Sequence, residues 1–249
     1  MVDPAENFGE AARRYADYRP QYPDTVFQFL LEYLTPPHRR VIELGAGSGQ
    51  ATRRLASTFE RVVAIEPDMR LTDGASFPAN VDVKNMQAEK AAFSPLSVDA
   101  VVAATSFHWM DQLDVCRNVA EWLRPGGVFF PFSFDAFSVE GPSKTFFEAE
   151  FEKWRTFRDA RLIEAFDYGG ALERSGAFAR VLPFNDVLRH AVTAEAAAGL
   201  ICTFSYARDY ARAHGGVEGY FEHVRRTLVA ENETVTFLAP VVGALGMKG

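Results

Sequence analysis

"VIELGAGSGQ" (41–50) is a short apolar run that breaks into three alternating glycines and ends on a polar residue. Its first half has the composition of a parallel strand buried on both faces. Gly45, Gly47 and Gly49 permit a tight turn and let the backbone approach a ligand closely. "QATRRLASTF" (50–59) reads as the helix behind the turn. The N-terminus of such a helix offers free N–H groups and the positive end of a dipole. A glycine cluster at a strand-to-helix junction points to a nucleotide-type ligand.

Working outward, the pattern alternates. "DTVFQFLLEYL" (24–34) carries a strong apolar face behind a candidate N-cap, Asp24. Strands follow at "RVIELG" (40–45), "RVVAIEP" (61–67), "VDVKNM" (81–86) and "DAVVAAT" (99–105). "LDVCRNVAEWL" (113–123) is a helix stopped by "RPGG", and "VFFPFSF" (128–134) is a fifth strand. Pro131 within it predicts a bend or bulge. Alternating strands and helices predict an α/β fold, a Rossmann-like doubly wound, seven-stranded, mostly parallel sheet with helices on both faces.

The flanks are less regular. Residues 5–18 have helical spacing, and two prolines in "YRPQYP" then break it. Residues 142–166 are helical and aromatic-rich, about 179–192 is strand-like, and 193–211 and 216–230 are helical. "ETVTFLAPVVGALGM" reads as a last strand. We therefore expect one domain over 1–249: a helical lid (1–37), a cofactor-binding core (38–134), a helical cap and substrate region (135–232) and a final strand (233–249). Loops at the carboxyl ends of the parallel strands should carry the site.

Composition narrows the function. The 249 residues carry a formal charge of -7, which argues against nucleic-acid binding, since that wants a basic stripe. No apolar run reaches the ~18 residues of a membrane span, and "MVDPAENFGE" lacks the apolar region of a secretory signal. Cys116 and Cys202 have no metal-like spacing, and no acidic cluster with ligand spacing is present, so no metal is implied. Reduced cysteines fit a cytoplasmic protein. The 22 phenylalanines fit either a well-filled core or an aromatic pocket for a small organic ligand. Oligomeric state is open.

The glycine spacing discriminates between cofactors. A dinucleotide loop prefers G-x-G-x-x-G, whose third glycine falls here on Gln50. The observed pattern is E-x-G-x-G-x-G, with Glu43 leading. It resembles the first motif of the class I methyltransferases that use S-adenosyl-L-methionine. The resemblance implies that Gly45, Ala46, Gly47 and Gly49 pack against the methionine part of the cofactor. It also implies that Glu43 helps hold the amino group, often through water. Glu66, followed by Pro67 at the end of the second strand, would accept hydrogen bonds from both ribose hydroxyls; this feature alone suits either cofactor. "MQAEKAAFSPLSVDAVV" is similar to the family's adenine segment, which implies that Gln87 and Ala88 meet the adenine edge and that Glu89 binds there or orients the loop. Asp99 reads as structural, capping the turn into its strand. "LRPGGVF" also matches the family.

"TSFHWMD" (105–111) ends the fourth strand in polar and aromatic groups. On this fold that end faces the sulfonium, so Thr105 and Ser106 offer hydroxyls or carbonyls there. Phe107 and Trp109 would wall the site, and aromatic faces favour a cation. His108 has three readings: general base, hydrogen-bond donor to substrate, or structural residue. "FHW", together with "FGEAARRYADYRPQYP", resembles the methyltransferase type 11, trans-aconitate methyltransferase-like branch. That resemblance implies Tyr15, Tyr18 and Arg19 as a lid over the cofactor and "TAEAAAGLICTFSYA" as part of a cap. The function implied is methyl transfer to an O or N atom of a small molecule; a carboxylate acceptor would need orientation more than a base. An NAD-dependent oxidoreductase and a non-catalytic S-adenosylmethionine-binding protein are the alternatives.

Overall fold

The computed structural model describes residues 17–72, 75–159, 166–231 and 234–249. The helix predicted over 5–18 lies outside them except for Asp17 and Tyr18, which are helical; Tyr15 also lies outside. The chain divides into two compact units. The larger holds Tyr22–Phe134, Phe166–Asp186 and Val241–Gly249. The smaller holds the described residues of Met1–Gln21, Asp135–Ala165 and Val187–Pro240.

The larger unit is built as the alternation demands. It runs α1 (Asp24–Glu32), β1 (Arg40–Leu44), α2 (Gln50–Ala56), β2 (Arg61–Ile65), β3 (Val81–Lys84), β4 (Val98–Ala104), α3 (Gln112–Trp122), β5 (Leu123–Phe134) and α5 (Tyr168–Ser175). In the smaller unit lie β6 (Ser138–Glu140), α4 (Lys144–Trp154), α6 (Ala194–Ile201), α7 (Ser205–Ala213) and α8 (Val217–Glu231). Two long strands, β7 (Arg180–Thr193) and β8 (Thr234–Met247), have residues in both.

In the larger unit the hydrogen-bonded order is β3-β2-β1-β4-β5-β8. The first five are parallel, and β8 closes antiparallel on β5, Val128 opposite Met247 and Phe134 opposite Val241. Beside β1 the order reverses, so the carboxyl ends of β1 and β4 lie next to each other at the switch point, where open α/β sheets bind ligands. Residues of β1 alternate between two cores. Val41 packs with α1 and α2, while Ile42 and Leu44 pack with α3 and α5. Helices on both faces are why these strands read as continuous apolar runs.

Two local expectations are corrected. Asp24 is the first helical residue of α1 rather than its cap; its carboxylate pairs with Arg54 at 2.7 Å. Pro131 makes no bulge: the pairs Phe129–Gly246 and Phe132–Gly243 keep one offset across it. The irregularity lies earlier, where Val98 faces Leu123 but Ala100 faces Val128, because "RPGG" loops out of the β4–β5 ladder.

The smaller unit pairs β6 antiparallel with the first half of β8. The helix expected over 193–211 is two helices. Thr203 donates its hydroxyl to the Leu200 carbonyl, and Phe204 turns extended with its ring buried. Buried Glu150 accepts from the Tyr220 hydroxyl and from Lys153, and Trp154 Nε1 donates to the Tyr220 oxygen at 2.8 Å. Among the described residues no helix is long and apolar enough to cross a membrane.

Candidate functional site

The turn after β1 is held by its neighbours' backbones. Gly45 and Ala46 donate N–H groups to the Ile65 carbonyl at 2.8 and 2.9 Å. Gly45, Gly47 and Gly49 all have positive φ, at 76°, 54° and 79°. Each glycine answers a different need. A Cβ on Gly45 would lie 2.5 Å from Ser106 Cβ, and one on Gly49 would lie 2.4 Å from the Phe77 ring. A Cβ on Gly47 would meet nothing within 4 Å. Two glycines thus admit the protein's own side chains, and the middle one borders open space.

Two carboxylates flank this turn. Glu43 is 1% exposed and accepts the Thr52 hydroxyl at 2.5 Å. Burial pushes its carboxyl up to about 8; the Thr52 hydroxyl opposes the rise and the Glu66 charge adds to it. Glu66, just past β2, accepts from the N–H of Gly47 at 2.9 Å and of Asp68 at 2.9 Å, one per oxygen. Burial pushes the Glu66 carboxyl up as well, and those two N–H groups pull it back. Each oxygen keeps a further lone pair for a ligand hydroxyl. Asn85 donates to the carbonyls of Glu66 and Pro67, tying the end of β3 to the end of β2.

After β3, Gln87 is exposed and precedes a single 3-10 turn over Ala88–Lys90, in which Ala88 is buried. Glu89 Oε1 accepts the Asp111 N–H at 3.0 Å, and the Glu89 carbonyl accepts from Asn118 Nδ2. Glu89 thereby joins the loop after β3 to the loop after β4. Asp111 in turn caps α3, accepting the Asp114 N–H. Asp99 lies at the other end of the sheet, where it accepts the N–H groups of Arg39 and Arg40 and pairs with Arg124 at 2.7 Å.

The end of β4 holds the least expected geometry. Thr105 has φ of 55°, a left-handed conformation that a β-branched residue rarely adopts. Its N–H donates to the Phe132 carbonyl at 2.7 Å, and its hydroxyl lies 2.5 Å from the Tyr22 hydroxyl. The Tyr22 ring stacks on Phe134 and meets Phe132 edge-on. Sequence reading missed Tyr22; it stands in the "YRPQYP" break, and only the fold brings it to β4. The Ser106 hydroxyl is committed to the Leu44 carbonyl at 2.5 Å, bracing the β1 turn. Phe107, His108 and Trp109 form a 3-10 turn. Phe107 is fully buried against Phe129 and Phe166, so its ring belongs to the core beneath the turn. His108 is 8% exposed, with its ring 4.9 Å from that of Trp109. Trp109 is 46% exposed.

Tyr18 and Arg19 belong to the smaller unit. The Tyr18 ring fills the space beside Gly199, where a Cβ would come within 2.4 Å. Arg19 Nε donates to Thr203 Oγ1 at 2.8 Å, and its guanidinium lies 4.8 Å from the centre of the Phe204 ring.

Residues 42–130 match the methyltransferase domain family. An uncharacterized methyltransferase of Mycobacterium tuberculosis is 38% identical over 127 residues, 50% of this chain and 51% of the relative. The chain thus matches about half the length of that relative. Among solved structures, a protein from Anaeromyxobacter dehalogenans assigned as a type II methyltransferase is similar, with a TM-score of 0.72 at 22% identity, covering 92% of this chain and 98% of the other. Phosphoethanolamine N-methyltransferase 2 of Haemonchus contortus, solved with S-adenosylhomocysteine, has a TM-score of 0.54 at 13% identity, covering 99% of this chain and 58% of the other. These likenesses agree with the observed sheet.

Proposed function

We propose that this chain, whose residues 42–130 match the methyltransferase domain family, transfers a methyl group from S-adenosyl-L-methionine to an O or N atom of a small organic molecule. The observation that carries the reading is the turn around Gly47. An open, left-handed glycine lies beside a buried carboxylate whose oxygens retain hydrogen-bonding capacity. Ser48 Oγ in the same turn is buried with no partner among the described residues.

These residues fit the cofactor's parts. The backbone of Gly45, Ala46, Gly47 and Gly49 would pack against its methionine portion, and Glu43 would help hold its amino group through water. Glu66 would accept from the ribose hydroxyls, with Pro67 shaping the strand end. Gln87 and Ala88 would meet the adenine, while Glu89 holds their loop to the His108 turn. In this reading Tyr18 and Arg19 also serve the cofactor, and Thr105 presents its hydroxyl at the end of β4. The cofactor, when bound, supplies an electrophilic methyl on a sulfonium. His108 would hold the acceptor or take its proton, with Trp109 as an aromatic wall over the buried Phe107. In-line transfer between held reactants draws most of its acceleration from orientation.

The "FHW" turn supports placing the chain near the trans-aconitate methyltransferase-like branch. The acidic charge and two buried free cysteines support a cytoplasmic enzyme that does not act on nucleic acid. The reading is tested by incubating the protein with tritiated S-adenosylmethionine and a cell extract split into small-molecule and macromolecular fractions. Label entering the small-molecule fraction supports it. Label entering only macromolecules refutes the small-molecule assignment, and cofactor binding with no transfer indicates a non-catalytic binding protein.

A further inference from the structure

Thr105 is one of two non-glycine residues with positive φ among the described residues; the other is Leu96. Leu96 is exposed on a turn ahead of β4, whereas Thr105 is anchored at the carboxyl end of β4, beside the switch point. A non-glycine residue persists in that region when its surroundings over-determine it, and such residues concentrate at functional sites.

The surroundings of Thr105 close on one another within the larger unit. Its N–H donates to the Phe132 carbonyl at 2.7 Å, and its hydroxyl lies 2.5 Å from the Tyr22 hydroxyl. The Tyr22 ring is buried, edge-on to Phe132 and stacked on Phe134 with centres 4.8 Å apart. Next in sequence, the Pro23 carbonyl accepts the Val26 N–H at the start of α1. A phenylalanine at 22 would keep both ring contacts and lose the bond to Thr105.

The segment that follows is tied at both ends. At its start Ser106 donates its hydroxyl to the Leu44 carbonyl at 2.5 Å, which braces the glycine turn after β1. At its end the Asp111 N–H donates to Glu89 Oε1 at 3.0 Å. Between them lies the 3-10 turn of Phe107, His108 and Trp109. With both ends tied, the direction in which the chain enters this turn depends on Thr105, and the conformation of Thr105 depends on Tyr22.

We infer that Tyr22 is a positioning residue for methyl transfer: through the Thr105 hydroxyl, its phenol sets the orientation of the turn that carries His108. The reaction in this statement rests on the methyltransferase reading; the control of the turn by Tyr22 does not.

The test compares wild type with Tyr22→Phe, Thr105→Val, Thr105→Ser and the double variant Tyr22→Phe/Thr105→Val. Each is followed by thermal unfolding, by calorimetric titration with S-adenosylhomocysteine and by nitrogen-15 resonances of the histidine rings. Transfer is measured as tritium passing from S-adenosylmethionine into graded amounts of the small-molecule fraction of a cell extract. Displacing a held reactant should lower the maximal rate on the order of ten- to a hundredfold in Tyr22→Phe and in Thr105→Val. The half-saturating amount of extract and the affinity for S-adenosylhomocysteine should stay within about a factor of two. The double variant should fall no further than either single, because both remove one bond. Thr105→Ser keeps the hydroxyl and should keep the rate. The His108 signals, identified by their loss in His108→Ala, should move in Tyr22→Phe and Thr105→Val and stay in Thr105→Ser.

An unchanged rate in folded Tyr22→Phe overturns the inference. So does a rate loss matched by lost affinity for S-adenosylhomocysteine, one that adds in the double variant, or one without movement of the His108 signals. If Tyr22→Phe does not fold, Thr105→Val gives the same reading. If wild type transfers no label, the methyltransferase reading falls, and the His108 signals alone decide whether Tyr22 sets the turn.

Discussion

The backbone N–H of Gly47 donates to Glu66 Oε2 at 2.9 Å. One hydrogen bond therefore joins the turn after β1 to the acid after β2, two features that lie 19 residues apart in sequence. The open side of the turn and the acid that would hold a ribose are positioned by each other.

The three glycines should fail differently when replaced by alanine. All three replacements are strained by positive φ, at roughly 1–2 kcal/mol each. Gly45→Ala also drives a methyl into Ser106, which the Leu44 carbonyl holds in place, so it should lose several-fold more stability than Gly47→Ala. Gly49→Ala, against the Phe77 ring, should be intermediate because a ring edge can shift. Gly47→Ala should fold well yet bind S-adenosylhomocysteine weakly. Chemical denaturation beside calorimetry separates the two effects.

Glu43 makes the free protein's stability depend on pH. Its folded carboxyl is raised to about 8, above the ordinary carboxyl value of 4.5. Between those values the folded state holds a proton that the unfolded state has released, so this contribution falls as pH rises through the window. Glu43→Gln should flatten the decline in melting temperature between pH 5 and 8, a range set by that shift. Equal slopes for variant and wild type would show that Glu43 is not the group responsible.

Tyr22→Phe removes the hydroxyl that meets Thr105 and leaves the stacking on Phe134. The expected cost is about 1 kcal/mol. Thr105→Gly relieves the left-handed strain but loses the same bond. The double variant should therefore cost less than the sum of the singles, as a double-mutant cycle by urea denaturation would show.

His108→Ala should leave affinity for S-adenosylhomocysteine within roughly a factor of two while lowering kcat/KM about 100-fold or more, the scale of a lost acid–base group. A flat pH–rate profile with lowered rate would assign His108 to positioning the acceptor.

The parallel core of the sheet was legible because β1, β2 and β4 are mostly buried and read as apolar runs, each ending in a distinctive loop. The glycine turn and Glu66 were legible for the same reason: they are local in sequence. Thr105 stood out as a polar end to its strand but not as a strained residue, since nothing in "AATSFHW" announces a positive φ. Tyr22 was hidden because its partner lies 83 residues away. The split of 193–211 into two helices depends on the Thr203 hydroxyl and the buried Phe204 ring, which helical periodicity does not register. Phe107 looked like a wall of the site, and its full burial emerged only from the packing of Phe129 and Phe166 around it.

The most direct measurement is calorimetric titration of wild type and Glu66→Ala with S-adenosylhomocysteine, with NAD as the comparison ligand. Wild type should bind S-adenosylhomocysteine with micromolar affinity, and the variant should bind roughly 10- to 100-fold more weakly, the cost of lost hydrogen bonds to a charged acceptor. Absence of S-adenosylhomocysteine binding by folded wild type, or tight binding of NAD in its place, would contradict the account.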